Sequence, residues 1–177
     1  MKTLSVPYYS QRDSASSQAY RMCFSSSCAM LLESLKPGTL KGANGDDQFL
    51  ARVRQFGDTT AAAAQLKALA SYGVKAKFVQ NANWSTIEGQ INRGIPTPLG
   101  MLHQGPVTRP GGGGHWIIAI GYTPDAILVH DPYGDLDLRR GGYISNNGAG
   151  LSYSRRNLGP RWMVEGPGTG WAILAER

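Results

Sequence analysis

The chain has 177 residues, 41% of them hydrophobic and 17% charged, a balance that excludes a disordered or fibrous protein and predicts one compact domain over 1–177. No stretch reaches the ~18 apolar residues of a membrane span, and MKTLSVPYYSQRD at the start holds no apolar run of signal-peptide length. Membrane insertion is therefore not expected, and synthesis in the cytoplasm is. The formal charge of +6 favours anionic partners. The basic residues gather only loosely, at Arg139, Arg140, Arg155, Arg156 and Arg161, and form no like-charge run.

In chain order, residues 3–9 read as a short strand ending near Gln11. The polar connection DSASSQAYRM leads to CFSSSCAMLLESL, which predicts a helix stopped by Pro37-Gly38. Its apolar stripe is Cys28, Leu31, Leu32 and Leu35. Cys23 lies five positions before Cys28, about 140° away around the helix. Cys28 is thus core, while Cys23 sits off the stripe at the helix start. The pair is too far apart along one helix for a disulfide, and neither has zinc-site spacing.

A second helix is expected from Asp46 to Phe56 and a third from Thr60 to Tyr72, capped by Asp58 or Thr59. VKAKFVQ alternates as a strand, and WSTIEGQINRG reads as a helix with Ser85 as N-cap and Glu88 closing the box. After Pro96, TPLGML, HWIIAIGY and AILVHD are short apolar runs between turn residues. Further strands are expected at Gly142–Ile144 and Gly170–Ala175. Helices first and antiparallel strands second give an α+β class.

The chemistry-bearing residues follow from this layout. A cysteine nucleophile acts as the thiolate, and a helix N-terminus favours that negative charge, which singles out Cys23. The histidines available as a base are His103, His115 and His130. His115 follows Gly111–Gly114 and opens a strand. Asp131 ends the strand that returns from it, so His115 and Asp131 meet at one edge of a hairpin. A strict loop at Tyr122–Asp125 puts their side chains on opposite faces, whereas a five-residue loop or a bulge puts them directly opposite each other. Catalysis requires the second arrangement. The Cys23 N–H and the Gln11 amide are candidate oxyanion donors.

Taken together, VPYYSQRD, CFSSSCAMLLESL, GGHWIIAIGY and VHDPYG resemble the bacteriocin-processing (double-glycine peptidase-like) branch of the papain-like cysteine peptidases. The resemblance covers most of the chain and implies a papain-like fold with Gln11, Cys23, His115 and Asp131 in the catalytic roles. The chain departs from the family at Phe24, where glycine usually follows the nucleophile, so Phe24 is expected to shape the substrate pocket, alongside His103 and Trp162. No transporter domain accompanies these motifs, which argues against export-coupled leader removal. Small members of this kind look similar to phage lysis enzymes. That likeness implies a peptidoglycan peptidase released from the cytoplasm onto the cell wall, with anionic wall polymers as further contacts and no nucleic acid.

No metal or organic cofactor is implied. Asp131, Asp135 and Asp137 invite a calcium reading, but their spacing is not that of an EF-hand loop. Two alternatives stay open: an intracellular processing peptidase or acyl transferase with the same triad, and a non-catalytic basic binding module.

Overall fold

The computed structural model describes residues 1–177. A two-residue strand β1 (Lys2–Thr3) leads through 3₁₀ turns at Gln11–Asp13 and Ala19–Arg21 to three helices, α1 (Cys23–Leu35), α2 (Gly45–Arg54) and α3 (Ala62–Ser71). Then come β2 (Ala76–Ala82), α4 (Trp84–Asn92), β3 (Thr97–Met101), β4 (His115–Tyr122) and β5 (Ala126–His130). The chain closes with β6 (Asp135–Leu136), β7 (Tyr143–Ser145), β8 (Leu151–Ser154), α5 (Arg155–Trp162) and β9 (Gly170–Ala175). The main sheet is antiparallel, in the order β2-β9-β3-β4-β5-β8, with β1 paired to the end of β4. This is an α+β architecture. No helix is long and apolar enough to cross a membrane.

The sheet separates two apolar cores. One lies under α1, α2 and α3 and includes Met30, Leu31, Phe49, Val53, Ile118 and Ile173. The other lies under α4 and α5 and includes Ile87, Ile91, Ile117, Val129, Leu158 and Trp162. Alternation along β4 explains the division, since Ile118 and Ile120 face one core while Ile117 and Ala119 face the other.

Helix α1 is buried nearly all round, more than its apolar stripe predicts, because Ser25, Ser26 and Ser27 are wholly buried too. Two of the small hydroxyls, those of Ser25 and Ser26, have polar partners on α2, on α3 and in the loop between them. Gln65 donates from Nε2 to Ser25 Oγ at 2.8 Å, Ser25 shares a hydrogen bond with Thr59, and Ser26 donates to Asp46 Oδ2 at 2.7 Å. These bonds fix the N-terminal half of the helix that carries Cys23.

Asp46 is fully buried and its other oxygen, Oδ1, has no partner. Burial, helped by the charges of Asp47 and Asp13 and opposed by the Ser26 bond, pushes its carboxyl up to about 7. A raised carboxyl favours the folded state when protonated. That contribution is full below the unfolded value near 3.9 and is lost as pH rises through about 7. Asp46→Asn should therefore leave stability nearly unchanged at pH 4 and raise it by about 1–3 kcal/mol at pH 8. Urea denaturation at the two pH values checks this, and an equal effect at both contradicts it.

Several boundaries differ from expectation for identifiable reasons. The first strand ends at Thr3 because later residues are held by side chains instead: His130 Nε2 donates to the Val6 carbonyl, and Tyr8 Oη to the Asp131 carbonyl. The N-cap of α4 is Asn83 rather than Ser85, and Thr86 rather than Glu88 closes the box. Glu88 pairs with Arg155 at 2.7 Å. Helix α3 starts at Ala62 with no side-chain cap, since the Asp58 carboxylate accepts from Arg21 and Thr60.

Candidate active site

Cys23 is the first residue of α1 and is half-buried. The first N–H groups of a helix have no intrahelical acceptor, so the Cys23 N–H is available to a ligand. The next residue, Phe24, stacks face to face on Trp116 of β4, with ring centroids 3.7 Å apart. That stack ties the helix start to the beginning of β4, where His115 stands. Gly114, at φ +90°, turns the chain into the strand there, a conformation suited to glycine.

The register between β4 and β5 then brings Asp131 to the same ring. Ala119 pairs with Val129 and Gly121 with Leu128, so Ile120 is the extra residue of a bulge. A bulge was one of the arrangements that catalysis required, but its register differs from the one expected. His115 and Asp131 are not directly opposite. Ile118 pairs with His130, which places them on one face of the sheet as diagonal neighbours. His115 Nε2 reaches Asp131 Oδ1 at 2.7 Å. A carboxylate only accepts, so Nε2 carries the hydrogen, and the other ring nitrogen is left for Cys23, which lines the same cleft.

Burial disfavours the His115 cation. The charge and hydrogen bond of Asp131, with the contact to Cys23, outweigh burial and raise the imidazole to about 10. Asp131 is itself fully buried and fully engaged. Tyr153 Oη donates to Oδ2 at 2.7 Å, and the Tyr133 N–H donates to Oδ1 at 3.0 Å. Its backbone N–H donates to the Gly148 carbonyl at 2.8 Å. A Cβ on Gly148 would stand 1.8 Å from the Asp131 carbonyl oxygen, so this contact requires glycine.

Gln11 is buried and lines the same cleft as Cys23. Its backbone N–H donates to the Pro132 carbonyl at 2.9 Å, which fastens the glutamine turn to the turn after Asp131. Its Nε2 donates to the Ala19 carbonyl at 2.8 Å, and its second amide hydrogen remains free.

The cleft has a volume of about 830 Å³ and is lined by Gln11, Cys23, His103, His115, Trp116 and Trp171, among others. Phe24 and Trp162 also border it, although each is almost fully buried. The Trp162 indole N–H donates to the Trp171 carbonyl, so Trp162 is cleft floor, and the exposed ring is that of Trp171. His103 stacks on His115, with centroids 4.5 Å apart and planes 12° off parallel.

His130 lies away from the cleft chemistry. Its Nε2 donates to Val6, and its Nδ1 accepts from the Gly150 N–H. Cys28 is fully buried, and burial pushes its thiol up, which keeps it protonated. Arg161, one of the loosely gathered C-terminal arginines, is fully buried and donates to the carbonyls of Leu102, Gln104, Gly105 and Leu138. Asp137 accepts from the N–H groups of Arg139 and Arg140, and no group of three or more His, Cys, Asp or Glu is arranged to hold a metal ion.

Tyr133, Tyr143 and Tyr153 were not singled out from sequence, yet all three surround His115 or Asp131. Their segments carry no period that marks a site. The hydrogen bond of Tyr153 in particular depends on pairing between β5 and β8.

A family model described as the Peptidase_C39 like family matches residues 3–147. Among solved structures, one described as a C39-like peptidase from Bacillus anthracis is similar at a TM-score of 0.67 and 14% identity, covering 100% of this chain and 98% of that one. The peptidase domain of Streptococcus ComA, a bi-functional ABC transporter of a quorum-sensing pathway, is similar at a TM-score of 0.57 and 14% identity, covering 88% and 91%. A double glycine motif protease from an AMS/PCAT transporter, solved with its leader peptide, is similar at 0.52 and 16%, covering 98% and 93%. No curated protein matches.

Proposed function

The chain belongs to the Peptidase_C39 like family, and from this we propose that it is a cysteine peptidase with Cys23 as nucleophile, His115 as base and acid, Asp131 as orienter and Gln11 as oxyanion donor. The observation that carries the reading is the His115 ring, which binds Asp131 through Nε2 and lines the same cleft as Cys23. His115 takes the proton of Cys23 before substrate arrives, and the thiolate sulfur attacks the carbonyl carbon of an amide. The oxyanion is held by the Cys23 N–H and the Gln11 carboxamide. As the C–N bond breaks, His115 returns the proton to the departing amine, leaving a thioester. His115 then deprotonates water, which attacks the thioester and regenerates Cys23.

Within that chemistry, the substrate we propose is the peptide portion of bacterial peptidoglycan, cleaved in the manner of a phage lysis enzyme acting on the wall after release. The +6 charge supports an anionic wall as the partner. A second reading is cleavage of a protein leader after paired glycines. It is favoured by the likeness to the protease solved with a leader peptide.

Incubating the protein and its Cys23→Ala variant with purified peptidoglycan, and separately with a synthetic double-glycine peptide, separates the two readings by product mass. New amine termini in the wall digest of wild type alone support the wall reading. Cleavage of the synthetic peptide alone supports the second. Equal products from wild type and Cys23→Ala overturn the peptidase assignment.

A further inference from the structure

We propose that His103 is a positioning residue, an imidazole stacked on His115 that holds the base in the plane shared by Asp131 and Cys23. The inference rests on the peptidase reading above and adds a part to it.

The need for such a residue follows from the softness of a histidine side chain. The torsion that turns the ring is broad, with no sharp staggered well. The bond from Nε2 to Asp131 fixes one atom of the His115 ring, and hydrogen bonds tolerate tens of degrees of bending. That bond alone leaves the nitrogen facing Cys23 free to swing out of line. A flat ring packed on one face of the imidazole removes this freedom.

The segment that leaves β3 brings His103 there. Met101 pairs directly with His115 across β3 and β4. Met101 ends β3, and two residues on the His103 ring lies over the His115 ring, at 4.5 Å and 12°. Tyr133 and Tyr143 close the sides, each meeting the His115 ring edge-on, with centroids 6.2 Å and 6.1 Å away.

His103 is itself anchored. Its Nδ1 is 2.8 Å from Tyr143 Oη. The loop that carries it is held by Arg161, whose guanidinium donates to the carbonyls of Leu102, Gln104 and Gly105 on either side.

A ring stacked on a cation must be uncharged. The charged or titratable groups around His103 are His115, Asp131 and Arg161, with Tyr133 and Tyr143. Burial first, then the charge of His115, push His103 down to about 4, with Asp131 opposing. Near neutral pH the ring is neutral, and burial keeps the Tyr143 hydroxyl protonated so that it can donate to Nδ1.

Iodoacetamide alkylation of Cys23 at pH 6.5 tests the role without a substrate, using the full chain as wild type, His103→Ala, His103→Phe and His115→Ala. His103→Ala should slow alkylation about ten-fold. His103→Phe, which restores a flat ring, should return the rate to within about two-fold of wild type. Thermal unfolding confirms that each variant is folded, and His103→Asn replaces the alanine variant if that one is not. A folded His103→Ala or His103→Asn that reacts like wild type, while His115→Ala is slow, overturns the role of His103 alone. Failure of His103→Phe to recover overturns it as well. Wild-type reactivity in His115→Ala overturns the peptidase reading beneath it.

Discussion

Cys23→Ala should lower turnover by at least about 10³-fold while leaving the thermal midpoint close to that of wild type. The sulfur is the group that forms and breaks the bond to substrate, and no second thiol is placed to replace it. Cys28 sits fully buried in the core under α1. Cys28→Ala should show the opposite pattern, a loss of about 1–2 kcal/mol of stability with activity retained, because it removes packed atoms and leaves the cleft intact. Assaying peptide cleavage and urea unfolding for both variants separates the two thiols. Comparable activity loss in both would count against the distinct roles assigned to them.

Asp131→Ala should be damaging on both axes. The carboxylate accepts from His115, Tyr153 and the Tyr133 N–H in a site with no exposure. Truncation leaves two buried donors and one half-buried donor unpaired and removes the charge that favours the His115 cation. The expected cost is about 3–5 kcal/mol of stability, with activity reduced by at least about 10²-fold. Asp131→Asn keeps an acceptor for His115 but no charge. It should recover most of the stability and little of the activity, as removal of an orienting carboxylate does in triad enzymes. Unfolding and turnover measured on the same preparations test this, and a fully active Asp131→Asn would show that geometry alone suffices.

Much of the site was legible because its parts depend on local signals. Pro37-Gly38 ends α1, the polar segment before it places Cys23 at the start, and the glycine run before His115 leads into β4. What sequence did not supply was register. Ile120 bulges out of the β4–β5 ladder, and no local pattern marks it, because both faces of these strands are apolar. That bulge decides how His115 and Asp131 meet. The stack of His103 on His115 was hidden for the same reason, since it depends on Met101 facing His115 across two strands. No local signal marks helix α5, because Gly159 and Pro160 lie inside it. It forms because burial of Leu158, Arg161 and Trp162 overrides local propensity.

The proposed chemistry requires His115 to carry a proton beside Cys23, and ¹⁵N NMR titration of the His115 ring measures that most directly. Both ring nitrogens should be protonated at pH 7.5, with a midpoint raised toward about 10 in wild type and lowered in Cys23→Ala. A ring that is neutral at pH 7.5, with a midpoint near the ordinary histidine value of about 6.5 and no response to loss of the Cys23 sulfur, would contradict the pairing on which the proposed chemistry stands.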